Sequence, residues 1–355
     1  MGKILVTGGA GYIGAHVVLQ LHKLGFSTVV LDNLCNGHRE LVKDTELIEG
    51  DLNDAALLKR IFASDTIDAV MHFAAFAYVG ESVEHPARYY KNNVSNTLNL
   101  VTQMVESGVR KIIFSSTCAT YGAARDNVIT EDHPQLPINP YGKSKLMIEE
   151  ILDDFGRAYG LQSVIFRYFN AAGADPEGQI GEWHEPETHL LPLVLDVAIG
   201  KSETLNIFGN DYPTPDGTCI RDYIHVSDIA QAHILGLQYL QSGKSSDAFN
   251  LGNGLGFSVR SVVETVEKVC GRQIRVSAKP RREGDPAVLI GSSEKAKRVL
   301  GWRPAFPKME QIVETAWKWH QALHRSRSAR AAALALDQPF GAATPELSQL
   351  GTRSA

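Results

Sequence analysis

The chain has 355 residues, of which 44% are hydrophobic and 21% charged, and its formal net charge is -5 at pH 7. This length predicts about two globular domains, and the negative charge argues against nucleic-acid binding, which needs clustered basic residues. The N-terminal apolar run is too short for a secretory signal and no run is long enough to span a bilayer, so we expect no membrane function. The four cysteines are scattered without metal-binding or CxxC spacing, so we expect free thiols, a cytoplasmic location and no metal.

Apolar β-type runs alternate with amphipathic stretches from the N-terminus onward. Strands are predicted at KILVTGG, STVVLDN, AVMHFAA and KIIFSST, and helices at YIGAHVVLQLHKLG, ended by Gly25, and at VSNTLNLVTQMVESG. This alternation predicts an α/β fold, with a Rossmann-type doubly wound parallel sheet covered by helices on both faces. Ligands of such sheets bind beyond the carboxyl ends of the strands, so the residues after each strand are the first candidates for a site.

Three glycines follow the first strand in a GxxGxxG pattern, at the junction with the first helix. Gly8 permits a tight turn, Gly11 lets a pyrophosphate approach the backbone, and Gly14 lets the helix pack closely on the sheet. Asp32 follows the second strand near the offset at which an acid bonds the adenosine ribose. Its charge would repel a 2′-phosphate, which favours NAD over NADP, although a turn-capping role stays open.

The next three strand ends add further candidates. Asp51, with Leu52, ends the third strand and is placed to reach an adenine, unless it only caps its loop. Ala74 and Ala75 follow the fourth strand and are small enough for a cofactor to lie against the backbone. The fifth strand ends in the hydroxyl row of residues 115–117, a feature that often only satisfies backbone groups.

The stretch NPYGKSK follows these strand ends. Pro140 suits the first turn of a helix, on which Tyr141 and Lys145 would share one face. The pair is either a surface contact or a phenol whose pKa is lowered by the neighbouring cation. Together with Thr117 and the upstream dinucleotide loop, the tyrosine and lysine resemble the short-chain dehydrogenase/reductase family.

A closer resemblance is to the UDP-glucose 4-epimerases within that family. The motifs that carry it, between about Lys3 and His320, are VTGGAGYIG, LDNLCNG, VGES, NPYGKSKLMIE, RYFNAAGADPEG, IFGNDYPTPDGT and RDYIHVSDIA. The resemblance implies a tightly held NAD, a UDP-sugar substrate and a homodimer. It implies that Lys145 bonds the nicotinamide ribose and lowers the pKa of Tyr141, which takes the proton of the sugar 4-hydroxyl. NAD would accept the carbon-4 hydride and return it to the other face of the 4-keto sugar, while Thr117 bonds the reacting oxygen.

The same resemblance implies two sets of binding residues. Cofactor contacts are expected at Gly8, Gly11, Tyr12, Ile13, Gly14, Asp32, Asn33, Asn36, Gly37, Asp51, Leu52, Phe73, Ala74, Ala75, Ala77, Asn92, Thr117, Tyr141, Lys145, Tyr168 and Phe169. Substrate contacts are expected at Thr117, Tyr141, Asn170, His189, Leu190, Asn206, Ile207, Phe208, Arg221, Arg282, Asp285 and Leu289. The two arginines would bind the diphosphate, and Phe208 would stack on the uracil ring.

Several features leave alternatives open. Ala77 stands where well-studied relatives have a lysine against the cofactor, and His189 replaces an asparagine. Leu289 lies at the position that admits or excludes N-acetyl groups, and its size is intermediate. The FAAFAYVGES variant also resembles UDP-xylose/UDP-arabinose 4-epimerases, so a pentose or dual specificity is the alternative. Cys118-Ala119 follows Thr117 where dehydratases carry two acids, which disfavours dehydration, and a non-catalytic NAD sensor would not need Tyr141.

The chain is expected to divide into three parts. Residues 1–169 would form the NAD-binding domain, with a segment near 221–245 returning to it. Residues 170–324 would form a smaller α/β UDP-sugar-binding domain, and 325–355 a disordered tail in which ARAAALAL could be helical. The dimer contact would use the helices VSNTLNLVTQMVE and KSKLMIEEILDDFGRAYG, whose apolar stripes could equally be intramolecular core.

Overall fold

The computed structural model describes residues 2–64, 66–123, 128–282 and 285–336. Its strands are β1 (Lys3–Thr7), β2 (Thr28–Asp32), β3 (Glu46–Glu49), β4 (Ile67–His72), β5 (Lys111–Thr117), β6 (Gln162–Tyr168), β7 (Asn170–Ala172), β8 (Leu205–Phe208), β9 (Ile220–His225), β10 (Asp247–Leu251), β11 (Gly256–Ser258), β12 (Val276–Lys279) and β13 (Val288–Leu289). Its α-helices are α1 (Tyr12–Lys23), α2 (Ala55–Ser64), α3 (Val79–Glu84), α4 (Pro86–Tyr89), α5 (Asn96–Glu106), α6 (Pro140–Tyr159), α7 (Leu190–Ile199), α8 (Val226–Gln241), α9 (Val259–Cys270), α10 (Glu294–Val299) and α11 (Met309–Leu336). A π-helical turn precedes α5, and short 3₁₀ turns follow β2 and β5.

Seven parallel strands form the main sheet, in the order β10-β6-β5-β4-β1-β2-β3. The strand order reverses beside β1, as in doubly wound dinucleotide-binding sheets. Successive side chains of β1 point to opposite faces, so Val6 joins the core under α1 and α8 while Leu5 joins the core under α2, α5 and α6. The predicted Rossmann-type fold is confirmed, and the apolar strand runs are explained by burial on both faces.

Local sequence signals set both ends of α6, the long helix that follows β5. The side chain of Asn139 accepts a hydrogen bond from the backbone N–H of Gly142 at 2.8 Å and caps α6, and Pro140 is its first residue. Gly160 ends the helix in the left-handed conformation, with φ 72°. The helix predicted from Pro140 is therefore confirmed, and its first turn is fixed by two independent devices.

The seventh strand of the sheet comes from late in the sequence. After β9 the chain runs through α8, which packs beside α1, and then into β10, which pairs with β6. Helix α8 lies within the segment near 221–245 that was expected to return, and the strand that follows it and joins the sheet spans Asp247–Leu251. A short strand at a sheet edge carries a weaker periodic signal than a long helix, so its position was harder to predict.

Short strands and three helices build the region on the carboxyl side of the main sheet. β11, β9 and β13 form one small sheet with β7 attached to β9, and β12 pairs with β8. Side chains of α7, α9 and α11 form a separate apolar core beneath them. Helix α11 continues through Leu336, which includes the ARAAALAL stretch, and residues 337–355 of the predicted tail lie outside the described residues. None of the described helices combines the length and the apolar character that a membrane crossing requires.

Candidate functional site

A cavity of about 1650 Å³ opens at the carboxyl ends of the parallel strands and extends to the small sheets. The predicted site residues that line it are Gly8, Gly11, Tyr12, Ile13, Gly14, Asp32, Asn33, Asn36, Gly37, Asp51, Leu52, Phe73, Ala74, Ala75, Ala77, Asn92, Thr117, Tyr141, Lys145, Tyr168, Phe169, Asn170, His189, Leu190, Arg282, Asp285 and Leu289. The predicted residues outside its lining are Asn206, Ile207, Phe208 and Arg221. One cavity thus connects the glycine loop with most of the expected substrate residues.

The three loop glycines have different surroundings. Gly8 has φ +71°, and a Cβ there would lie 2.4 Å from the backbone nitrogen of Ala74. A Cβ on Gly14 would lie 2.3 Å from the carbonyl oxygen of Gly8, so only glycine lets α1 start this close to β1. Around Gly11 the one neighbouring heavy atom within 4 Å of such a Cβ is the Gly8 oxygen at 3.4 Å. The free side of Gly11 faces the cavity and leaves backbone open to a bound group.

Asp32 is fixed at the end of β2 by two backbone donors. Its carboxylate accepts hydrogen bonds from the N–H groups of Ala10 and Leu34, both at 2.9 Å, and the residue is 8% exposed. Burial raises the pKa of Asp32, against the lowering effect of those bonds. These bonds cap the turn after β2, which was the alternative role considered for Asp32. The residue nevertheless lines the cavity. At the end of β3, Asp51 accepts from the side-chain amide of Asn33 at 2.7 Å, which places both residues along the same wall.

Thr117, Tyr141 and Lys145 are brought together by β5 and α6. Tyr141 and Thr117 line the same part of the cavity, and Oγ1 of Thr117 accepts a hydrogen bond from the backbone N–H of Ala119 at 3.1 Å. The ammonium of Lys145 donates to the carbonyl oxygen of Ser115 at 2.7 Å and is 3% exposed. A phenol, a hydroxyl and an ammonium therefore meet where the fifth strand ends.

The proton affinities of this group differ from the expectation. Burial raises the pKa of Tyr141 to about 12, against a lowering by the Thr117 hydrogen bond. Burial also lowers the pKa of Lys145 to about 7, against the raising effect of Glu149. In the protein without a cofactor, the pKa of Tyr141 is therefore raised and not lowered, because desolvation outweighs the favourable contacts. Any lowering in the working site has to come from further positive charge beside the phenol.

A buried polar network supports the back of this site, and the sequence analysis did not identify it. The carboxylate of Glu149 accepts from the Ser116 hydroxyl and pairs with the guanidinium of Arg167 at 2.6 Å. Arg167 also donates to the hydroxyl of Tyr121 at 3.0 Å, and that hydroxyl donates to Asn250 at 2.7 Å. The network joins β5, α6, β6 and β10, so it fixes the strand end that carries Thr117. The position of Glu149, four residues after Lys145, was the signal for it.

Cys118 lines the cavity directly after Thr117. Burial raises the pKa of this thiol to about 12, so it stays protonated near neutral pH. A neutral thiol followed by Ala119 provides no carboxylate pair for removing water. The structure therefore gives a physical reason for the predicted lack of dehydratase chemistry.

The substrate-side residues form two linked groups at the far end of the cavity. Arg221 lies on β9 and pairs with the carboxylate of Asp285, through which it is connected to the cavity wall. The guanidinium of Arg282 stacks over the ring of Phe208, 4.2 Å from its centroid. Leu289, on β13, packs against a small apolar cluster that includes Phe169. Phe208 and Arg221 are thus held beside the cavity by residues that line it.

A second group that the sequence analysis missed lies in the segment 182–189. The side chains of Glu182, His184, Glu187 and His189 converge, with one nitrogen or oxygen atom of each within 4.8 Å of the others. Only His189 was a predicted site residue. The pattern Glu-x-His-x-x-Glu-x-His was the available signal, but an isolated run of histidine and glutamate is usually a solvated surface.

Comparisons with known proteins give similarity over most of the chain. Residues 4–252 match the model of the NAD dependent epimerase/dehydratase family. A curated UDP-glucose 4-epimerase from Halalkalibacterium halodurans is 54% identical over 318 residues, which are 90% of this chain and 95% of the relative. The crystal structure of UDP-glucose 4-epimerase from Brucella ovis in complex with NAD is 45% identical, with a TM-score of 0.87 and coverage of 89% of this chain and 98% of that one. The enzyme of that name from Bifidobacterium longum, in complex with NAD+ and UDP, is 38% identical, with a TM-score of 0.86 and coverage of 90% and 98%.

Proposed function

The chain belongs to the NAD dependent epimerase/dehydratase family, and we propose that it interconverts UDP-glucose and UDP-galactose by inversion at carbon 4. The observation that carries the proposal is the convergence of Thr117, Tyr141 and Lys145 in one cavity, which runs from the glycine loop to Arg282. A base at this point, between a dinucleotide loop and a diphosphate-binding end, suits a reaction at a sugar hydroxyl. The curated relatives are named for the hexose reaction, so the pentose alternative is not favoured.

NAD is the cofactor, and the residues of the cavity fit it. The open side of Gly11 leaves room for a pyrophosphate against the start of α1, where N–H groups are unpaired. The buried carboxylate of Asp32 suits the hydroxyls of an unphosphorylated adenosine ribose and opposes a 2′-phosphate. Lys145, buried beside the end of β5, would hold the nicotinamide ribose. When bound, NAD supplies the group that takes the carbon-4 hydride and gives it back.

Tyr141 moves the proton in this proposal. Its phenolate accepts the proton of the sugar 4-hydroxyl as the carbon becomes a ketone, and the phenol returns the proton after the sugar has turned over. Thr117 would donate to the same sugar oxygen and hold it close to Tyr141. Because burial holds the pKa of Tyr141 at about 12 in the chain alone, the phenolate forms only with added positive charge nearby. Such a requirement couples proton removal to an occupied, oxidised cofactor site.

The other end of the cavity would hold the UDP moiety. Arg282 lines the cavity, and Arg221 is oriented by its pairing with Asp285, so both guanidinium groups could turn towards diphosphate oxygens. The ring of Phe208, already covered on one face by Arg282, is the candidate for stacking with uracil. Leu289 sets the width of the sugar end. We propose that residues 1–169, with the segment near 221–245, bind the cofactor and that residues 170–324 bind the UDP-sugar.

We also propose that the protein works as a homodimer through α5 and α6. These helices pack on each other, and one side of each contributes to the intramolecular core, with Leu100 and Ile148 among the buried residues. Leu98 and Met147 face outward instead, 43% and 41% exposed. The apolar stripes therefore contain both core residues and an exposed apolar surface suited to self-association.

The unpaired thiols of all four cysteines fit a reducing cytoplasm.

The test of the proposed reaction uses the full chain with UDP-galactose and, separately, with UDP-xylose, and resolves the product sugars. UDP-glucose should form from UDP-galactose, and Tyr141→Phe should lower kcat by about 10²- to 10⁴-fold while retaining NAD. Tyr159→Phe is the matched control, since Tyr159 is exposed at the end of the same helix. The proposal is wrong if UDP-galactose is not inverted, whether or not UDP-xylose is, or if Tyr141→Phe turns over at the rate of the unmodified protein.

A further inference from the structure

The segment 182–189 brings four potential metal ligands together, and three of them, Glu182, His184 and His189, line the cavity. Glu182 and His184 come before the Glu185-Pro186 bond, and Glu187 and His189 come after it. Glu182 and Glu187 are largely buried, with side chains 7% and 12% exposed. Two carboxylates this deeply buried need partners of opposite charge, and the imidazoles of His184 and His189 lie within ion-pair distance of both.

One nitrogen or oxygen atom of each of the four side chains lies within 4.8 Å of the others, which is close enough for a coordination shell after small adjustments. Nδ1 of His189 is hydrogen-bonded to Oε1 of Glu187 at 2.8 Å and lies 3.1 Å from Glu182. Nδ1 of His184 lies 3.3 Å from Glu182 and 3.6 Å from the other oxygen of Glu187, Oε2. Ligands of a tetrahedral zinc ion, each about 2.1 Å from the metal, are about 3.4 Å apart. An ion placed among these four atoms would therefore need only small movements of the side chains.

The nitrogen of His184 is an independent indication. Its Nδ1 atom is buried and makes no hydrogen bond within the described residues, although two carboxylates lie near it. A buried imidazole nitrogen without a hydrogen bond costs free energy unless another partner takes its lone pair. The ring itself is held in place by edge contacts with Tyr12 and Tyr78. This nitrogen thus lies within ion-pair distance of both carboxylates but makes no hydrogen bond of good geometry to either.

The ligand shell has its own support from the surrounding chain. One carboxylate oxygen of Glu187 accepts from the backbone N–H groups of Thr188 and His189, at 2.7 and 2.8 Å. Trp183, between the first two donors, stacks on His38 with ring centroids 3.7 Å apart. Contacts of this kind orient metal ligands and raise the affinity of a site.

We propose that Glu182, His184, Glu187 and His189 bind one transition-metal ion of the zinc type. Two imidazole nitrogens and two carboxylates are a donor set that zinc accepts, and the two carboxylate charges balance a divalent ion. Mg²⁺ prefers six oxygen ligands and should bind poorly. The ion would join the two halves of the segment and fix the cavity wall that contains His189.

Zinc binding to the full chain, stripped with a chelator and assayed without any UDP-sugar, tests this site. Isothermal titration with Zn²⁺ alone should give one equivalent per chain, and excess Mg²⁺ should not compete. His184→Gln and Glu187→Gln should each weaken the binding at least about tenfold. His85→Gln, at an exposed histidine outside the segment, should bind zinc like the unmodified chain. A negative result would count against the zinc site only and not against the proposed epimerase reaction, because the titration measures zinc binding and not turnover.

Two further measurements guard against variants that fold poorly. Co²⁺ bound to the unmodified chain should give the intense visible bands of a tetrahedral ion, and Zn²⁺ should raise its Tm. Circular dichroism and NAD content identify any variant that has lost its fold. Absence of a stoichiometric site in the unmodified chain, or equal zinc affinity in a folded His184→Gln protein, would show that the cluster is held by ion pairs only and would overturn the proposal.

Discussion

Glu149 connects the proton affinity of the catalytic group to the buried network behind it. It lies one helical turn beyond Lys145 on α6, and its negative charge raises the pKa of that lysine against the larger effect of burial. Its own charge is balanced by Arg167, which is 9% exposed. The charged form of Lys145 exists only below its pKa, so a change at Glu149 alters the pH range in which the ammonium is present.

Replacement of Glu149 by glutamine should narrow that pH range. The neutral amide no longer favours the ammonium, so the pKa of Lys145 should fall, and the alkaline limb of kcat/KM should move down by roughly one pH unit. The uncompensated guanidinium of Arg167 should also cost about 3 kcal/mol of the free energy of unfolding. Measurements are the pH dependence of kcat/KM for UDP-galactose and urea unfolding.

Glu150→Gln is the control for this change, because Glu150 is the next residue on α6 and is exposed. It should leave both the alkaline limb and the unfolding free energy within error of the unmodified protein. An unchanged alkaline limb in Glu149→Gln would mean that Lys145 does not set the upper pH limit of turnover.

At the scale of elements, the junction of β1 and α1 depends on a close backbone contact. Alanine at Gly14 would place a methyl group 2.3 Å from the Gly8 oxygen and 2.8 Å from the Cα of Gly9, so α1 would have to move away from the loop. Gly14→Ala should therefore lose about 1–3 kcal/mol of unfolding free energy. It should also retain less NAD, because the N–H groups at the helix start move with α1. Urea unfolding and the nucleotide released from purified protein measure the two effects.

Gly80→Ala separates the close contact from a general effect of replacing glycine in a helix. Gly80 lies in α3, and a Cβ there would meet no atom within 4 Å. The free energy of unfolding of this variant should equal that of the unmodified chain or exceed it by at most about 1 kcal/mol. Equal stability of Gly14→Ala and the unmodified chain would show that α1 can shift without cost.

Elements with strong local signals were predictable from the sequence. The apolar runs of β1, β2, β4 and β5, the helix after Pro140 and the glycine turn before α1 follow from periodicity and turn chemistry within a few residues. The pairing of β10 with β6 leaves no local pattern, and the network around Glu149 leaves only the spacing of Lys145 and Glu149, because both features join residues far apart in the chain. The burial that raises the pKa of Tyr141 in the chain alone also leaves no local pattern, since it is a property of the folded cavity.

At the scale of the whole molecule, the exposed apolar side of α5 and α6 is available to a second copy. A two-fold axis places every residue of such a contact in the interface twice. A single charged substitution at Leu98 therefore introduces two like charges, at a cost of several kcal/mol when they are brought together. The same substitution leaves the intramolecular core of α5 unchanged, because Leu98 is not among its buried residues.

Sedimentation velocity at micromolar concentration should therefore show a dimer for the unmodified chain and a monomer for Leu98→Glu. Leu24→Glu is the matched control, as Leu24 is 59% exposed at the end of α1, on a different helix. That control should sediment as a dimer, and all three proteins should have the same far-ultraviolet circular dichroism. If the unmodified chain sediments as a monomer, the exposed surface of α5 and α6 is not a self-association site, and the active cavity is complete within one chain.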